Sequence, residues 1–554
     1  MSEPHGRAAR RGWLDRLERL GNALPDPATL FLLGALAVMA LSEVAVRLGW
    51  EVERTLAQEV REPVRGPDGA PVLDPSSGEA LTVVALDPAT GEPRRETVRV
   101  AVAPRSLLSG DGAYWAISSL VENFKNFPPL AIVLVGMLGI GLADRTGFIA
   151  AALKATLLRV PGPALTPAVF FVGVCSSVAL DAGYVVLPPV AAALYHAVGR
   201  SPLVGLAAVF AGVSAGFGAN LVVTSLDTIL AGFSEAGARI VDPDYPVAAT
   251  ANLTFMIAST FWLTAVGWAV TALFVEPRLR ARPPEEGGPA REEPAGAATL
   301  EPAERRGLAV GAATAGVTLA LFAAATWIPG APLHGMAERF PRWVAAIVPL
   351  LFLGFFVPGL AYGVAAGRLR NDRDVARLLG ETMAAMGPYV VLAFFAAQFV
   401  EYFRYSGLGE MLAIRGGDAL AGAGLPAPLL MVAFVLVVAA ANLLMGSMSA
   451  KYAFFAPVFV PMFMQVGISP ELTQAAYRVG DSATNVITPL NPYVVIILVF
   501  VQRYVPRAGI GTLVALMLPY ALAFLVAWTA LLVLWMAAGL DLGPAGPLHY
   551  AAGS

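Results

Sequence analysis

The sequence predicts an all-α polytopic membrane protein with about nine transmembrane helices and two re-entrant hairpins, arranged as two inverted repeats with a small extracytoplasmic polar excursion. Three observations lead there. Of 554 residues, 57% are hydrophobic and only 14% charged, against roughly 25% charged in a soluble domain. Apolar stretches approaching the ~20 residues that cross a bilayer recur along the chain. Two further stretches, equally apolar but broken by Gly, Pro and Ser, match each other in spacing.

The elements follow in order. Residues 1–27 form a basic tail (Arg7, Arg10, Arg11, Arg16 and Arg19) with no cleavable signal pattern, which places the N-terminus in the cytoplasm. The first span is 28–49. Residues 50–112 are polar and turn-rich, with short strands expected at Leu81–Leu86 and Glu96–Val102. Repeat 1 occupies 113–235. It holds a span at Phe127–Ala143, an interfacial helix at Phe148–Val160, hairpin 1 (161–198) and a broken helix (202–233) interrupted at Gly216–Asn220.

A scaffold span (236–275) leads to an Arg-, Glu- and Pro-rich cytoplasmic linker (276–306) of disordered composition. Two scaffold spans fill 307–365. Repeat 2 (366–503) contains a span at Met383–Tyr402, an outer interfacial segment at Leu408–Leu420, hairpin 2 (425–466) and a broken helix (471–501) interrupted around Gly480–Thr488. The last span and C-terminus are 504–554.

The repeat rests on shared spacing. Val198-Gly-Arg-Ser-Pro202 matches Val466-Gly-Ile-Ser-Pro470, and Gly212-Val-Ser-Ala215 matches Gly480-Asp-Ser-Ala483, both 268 residues on. Three spans separate the units, so the second enters the membrane upside down. Discontinuous helices at matching positions of inverted repeats point to a transporter binding site.

Net charge is −3 and argues against nucleic acid as a partner. The lone Cys175 and four unclustered histidines argue against disulfides and histidine–metal chemistry, and no P-loop, HExxH or GxSxG occurs. The chain is therefore not expected to be an enzyme or to need a cofactor. Its partners are a lipid bilayer, a small-molecule substrate and a coupling ion, Na⁺ or H⁺.

Chemistry is expected where irregular backbone meets intramembrane polar groups. Hairpin 1 turns at Cys175–Gly183 and carries Ser177 and Asp181. The first break carries Asn220. Hairpin 2 turns at Asn442–Lys451 and includes Ser449, and the second broken helix carries Arg478, Asp481, Ser482, Asn485 and Pro489. Hydroxyl, amide and carboxylate oxygens suit a hard cation, which assigns Asn442, Asp481, Ser482 and Asn485 to a sodium or proton site. Lys451 and Arg478 suit a substrate carboxylate. They join Ser177, Asp181, Asn220 and Ser449 as substrate-binding candidates. A plainer alternative pairs Asp181 or Asp481 with Lys451 or Arg478 as buried ion pairs.

The segments SSVALDAGYVVLPPVAA (Ser176–Ala192), GANLVVTSLDTILAG (Gly218–Gly232), ANLLMGSMSAKYAFFAPVFVPM (Ala441–Met462) and AYRVGDSATNVITPLNPY (Ala476–Tyr493) resemble the p-aminobenzoyl-glutamate transporter (AbgT) family. The likeness includes LGNALPDPATLF (Leu20–Phe31) and spans essentially the whole chain. It implies a homodimer in the bacterial inner membrane, each protomer with nine spans and two hairpins. It also implies cation-coupled movement of p-aminobenzoyl-glutamate or related aromatic carboxylates and, in some members, export of sulfonamide drugs. Family roles carry over onto Asp181, Asp481, Asn442, Ser449, Arg478 and Pro489. The rival readings are a dicarboxylate symporter or other antiporter on the same architecture, a channel, and an intramembrane enzyme.

Overall fold

The computed structural model describes residues 25–59, 61–65, 71–73, 80–85, 95–179, 182–283, 286–289, 299–488 and 490–551. The expected tail up to residue 24, Asp181, Pro489 and residues 284, 285 and 290–298 of the expected linker lie outside them.

The first helix, α1 (Pro27–Arg47), begins where Asp26 caps the backbone N–H of Ala28. Strands β1 (Val52–Glu59) and β4 (Arg95–Val102) pair antiparallel, as do β2 (Arg61–Pro63) and β3 (Thr82–Val84). Among the described residues the polar excursion forms two small two-stranded sheets, two strands more than the sequence suggested. Charged residues such as Glu53, Arg54 and Glu59 hide the β1 signal.

Short helices α2 (Gly110–Ser118) and α3 (Leu120–Lys125) lead into α4 (Pro128–Arg145) and α5 (Phe148–Leu158). Hairpin 1 is α6 (Leu165–Cys175), a 3₁₀ turn at Ser176–Ala179, and α7 (Ala182–Ala197). The first broken helix is α8 (Pro202–Phe210), a π-bulge at Ala211–Ala215, and α9 (Ser225–Ala238). The bulge sits where Gly212 meets Gly173 of α6: a Cβ on Gly212 would lie 3.0 Å from the Phe170 carbonyl.

Helix α10 (Leu253–Val270) continues through a second π-bulge into α11 (Glu276–Arg280). The first five residues assigned to the linker therefore extend a helix instead of starting a disordered segment. Glu276 fixes them through ion pairs with Arg200 (2.7 Å) and Arg280 (2.9 Å).

Next come α12 (Pro302–Trp327), α13 (Arg342–Ala345), α14 (Ile347–Ala365), α15 (Asp372–Ala385), α16 (Gly387–Tyr405) and α17 (Leu408–Gly422). Hairpin 2 is α18 (Ala427–Asn442) and α19 (Met448–Met464), and the second broken helix is α20 (Pro470–Thr484) and α21 (Tyr493–Gln502). Helix α22 (Ile510–Ala537) follows.

Among the described residues, six helices (α1, α4, α10 with α11, α12, α14 and α22) are long and apolar enough to cross a membrane alone, and up to eight spans result if each bent pair counts as one. The pair α15–α16 bends by 43° and the pair α17–α18 by 119°. Helices α4, α12 and α14 pack together as one scaffold group, with α1 against α16 in another.

The two hairpin units interlock. Helix α9 of the first unit packs on α19 of the second, and α21 of the second packs on α7 of the first. Beyond α22 a strap joins the start of α10 to the loop ahead of α20. Phe255 N–H donates to the Leu542 carbonyl (2.8 Å), Ser469 N–H to Leu548 (3.2 Å) and Tyr550 N–H to Gly467 (3.0 Å). Gly546 is required in it, because a Cβ there would lie 1.8 Å from the Ala251 carbonyl.

Candidate functional site

Helix α20 organises the site. Every one of its residues is buried, including Gln474, Tyr477, Arg478, Asp481 and Ser482. A polar helix without solvent must find its partners inside the protein. At 3.6 residues per turn, Gln474, Arg478 and Ser482 share one face, and Tyr477, Asp481 and Asn485 share another.

The first face meets repeat 1. Gln474 accepts from Ser234 Oγ (2.9 Å). Arg478 donates to the Gly218 carbonyl (3.1 Å) and to Asp227 Oδ1 (2.6 Å), both side chains being almost wholly buried. Ser482 Oγ accepts the Gly218 N–H (2.9 Å). Asp227 is saturated, because its other oxygen accepts from Asn220 Nδ2 (3.0 Å) and from both the N–H and hydroxyl of Thr224 (2.7 Å each), closing the capping box of α9.

The second face meets hairpin 2. Lys451 Nζ contacts both Asn442 Oδ1 and Asp481 Oδ1, with Lys451 2% and Asp481 0% exposed. Asp481 also accepts from Tyr477 Oη (3.1 Å) and Asn485 Nδ2 (3.4 Å). Asn442 Nδ2 lies 2.7 Å from the Asp481 carbonyl, 2.9 Å from Thr484 Oγ1 and 2.8 Å from Asn485 Oδ1.

The residues named from sequence therefore divide. Asn442, Lys451, Asp481 and Asn485 form one cluster. Ser482 leaves it, since it points about 100° away from Asp481 on the helix and serves repeat 1 instead. Arg478 pairs not with Asp481 but with Asp227, which sequence reasoning passed over. The signal was present in Thr224-Ser-Leu-Asp227, a capping-box spacing ahead of an apolar run. Ser177 donates to the Ala219 carbonyl (3.3 Å) within repeat 1. Asp181 and Pro489 lie outside the described residues.

A cavity of about 670 Å³ opens between the two units, within the range of small-molecule sites. Its wall includes Tyr184, Phe217, Met445, Ser449, Asn485 and Tyr493. Tyr184 of α7 and Tyr493 of α21 stack, with centroids 4.0 Å apart and planes 6° from parallel. Lys451 and Arg478 do not line this cavity. The second break runs over Asn485–Pro492, a few residues later than expected. Asn491 bridges it by donating to Ser214 Oγ and to the Asn485 carbonyl (3.0 Å each).

The AbgT transporter family model matches residues 12–550. The chain belongs to the AbgT family. The p-aminobenzoyl-glutamate transport protein of Escherichia coli strain K12 is 33% identical over 540 residues, covering 96% of both chains. Among solved structures, the YdaH transporter of Alcanivorax borkumensis is 39% identical with a TM-score of 0.79, covering 94% of this chain and all of that one. MtrF of Neisseria gonorrhoeae, described as illuminating a class of antimetabolite efflux pumps, is 36% identical with a TM-score of 0.81, covering 97% of this chain and all of that one. This AbgT protein is thus a multi-pass membrane transporter and not an enzyme.

Proposed function

We propose that this AbgT transporter moves p-aminobenzoyl-glutamate or a related aromatic carboxylate across the bacterial inner membrane, coupled to a cation gradient, by alternating access. Sulfonamides are a further cargo. The protein works as a homodimer with its N-terminus in the cytoplasm and its hairpin units inverted with respect to each other.

The cavity between the units carries this reading. Tyr184, Phe217 and Tyr493 give it an aromatic wall for an aryl ring. The first turn of α19 at Ser447–Ser449 lines the cavity with the positive end of the helix dipole, which suits a carboxylate. The Asn442–Lys451–Asp481–Asn485 cluster stands beside it through Asn485 and is the coupling site.

Proteoliposomes under Na⁺ and H⁺ gradients imposed separately test the proposal. Accumulation or release of p-aminobenzoyl-glutamate driven by one of them is expected. Transport of succinate alone would favour the dicarboxylate reading.

A further inference from the structure

The oxygen cluster at the second hairpin has the composition of a sodium site, yet as folded it does not fit a free metal ion. Its two best ligands, Asn442 Oδ1 and Asp481 Oδ1, converge on the ammonium of Lys451. The remaining carboxylate oxygen faces the Asn485 amide, and the Tyr477 hydroxyl, shared with the Met448 carbonyl (2.6 Å), lies 3.1 Å from Oδ1. The oxygens of Thr484 and Asn485 and the Asp481 carbonyl are turned to the Asn442 amide. A monovalent cation placed here would meet donors and a fixed positive charge.

We infer that Lys451 is a tethered cation: its ammonium occupies the place a sodium ion would take at Asp481, so this conformation binds no sodium there.

The other repeat supports the assignment. At the 268-residue offset, Asn442, Lys451 and Asp481 correspond to Val174, Gly183 and Val213. The correspondence holds in space as well as in sequence. A Cβ on Gly183 would lie 3.4 Å from Val213 and 2.3 Å from Ser176 Oγ, so the equivalent of Lys451 packs at the equivalent of Asp481 with no room for a longer side chain. Among the described residues, repeat 1 fills the same junction with Gly183, Ser176 and Val213. A lysine is not what the hairpin needs in order to pack against its broken helix. In repeat 2, carboxylate and ammonium stand together as a neutral unit, as an intramembrane carboxylate requires. The inference rests on this geometry and is independent of which substrate is carried.

Thermal unfolding of the purified full-length transporter in detergent tests it, with NaCl exchanged for choline chloride at constant ionic strength. The wild-type Tm is expected to be indifferent to the exchange. K451M keeps the apolar stem and leaves Asp481 without its counter-ion. Its Tm should fall in choline and recover by several degrees in sodium, saturably. K451M/D481N removes both charges and should again be indifferent, which also reports that the fold tolerates methionine.

A saturable, sodium-specific rise in the wild-type Tm would overturn the inference, and that result needs no variant to fold. A folded K451M blind to sodium would overturn it equally. Transport is not read in this experiment, so failure of the proposed cargo or coupling would leave its result unaffected.

Discussion

At the scale of single residues, the buried pair between Asp227 and Arg478 holds the two repeats to each other. It joins positions 251 residues apart, with both side chains removed from solvent. Removing one partner of such a pair strands the other, typically at a cost of about 3–5 kcal/mol, whereas replacing both by apolar groups can be nearly neutral. D227A should therefore lower the unfolding midpoint in detergent sharply, and D227L/R478M should recover most of the loss. A D227A protein as stable as wild type would show that Arg478 finds another anion. The sequence showed that these intramembrane charges need partners but not which ones. A capping box is local and readable, while a bond across 251 residues depends on how α9 lies against α20, which no periodicity encodes.

At the scale of elements, the second broken helix shows why glycine misleads. Gly480 reads as a breaker, yet α20 continues through it to Thr484. The glycine serves close approach: a Cβ there would lie 2.4 Å from the Val435 carbonyl and 2.9 Å from Val438 of α18. G480A should destabilise the protein by about 1–3 kcal/mol through overpacking. The expected readout is a lower Tm together with faster proteolysis at hairpin 2. An unchanged Tm would mean that α18 can withdraw at little cost. The hairpins themselves and the first break were legible because Gly, Ser and Pro interrupt long apolar runs there. The strands β1 and β2 were not, since their many charged side chains mimic loop composition.

At the scale of the whole molecule, the hairpin units are interlocked rather than merely adjacent, and the Tyr184–Tyr493 stack lies where α7 meets α21 on the cavity wall. Any movement that opens the cavity along this line must separate the rings or carry both together. If the stack also receives the aryl group of the cargo, Y493A should weaken binding of p-aminobenzoyl-glutamate by about tenfold, ~1.4 kcal/mol. Y493F should bind as wild type, because the ring and not the hydroxyl is used. Equal affinity of Y493A and wild type in a binding titration would remove the aromatic wall from the recognition scheme. The alternation of hairpin and broken helix predicted that a central site exists between the repeats. It allowed Lys451 to pair with Asp481 but gave no sign that Arg478 would be spent on Asp227.

The strap beyond α22 bears on how the protein is made. Gly467, Ser469 and Phe255 receive their backbone partners from residues 542–550, about 80 residues downstream for the first two and nearly 300 for the third. That end of the core cannot close while those residues are still in the ribosome or the insertion machinery. Biogenesis should therefore pass through an inserted but unsealed intermediate. Stalled nascent chains ending before Leu542 should remain protease-sensitive near Phe255 and Gly467, and chains whose residue 550 has emerged should not. Equal protection at both lengths would show that the core seals without its strap.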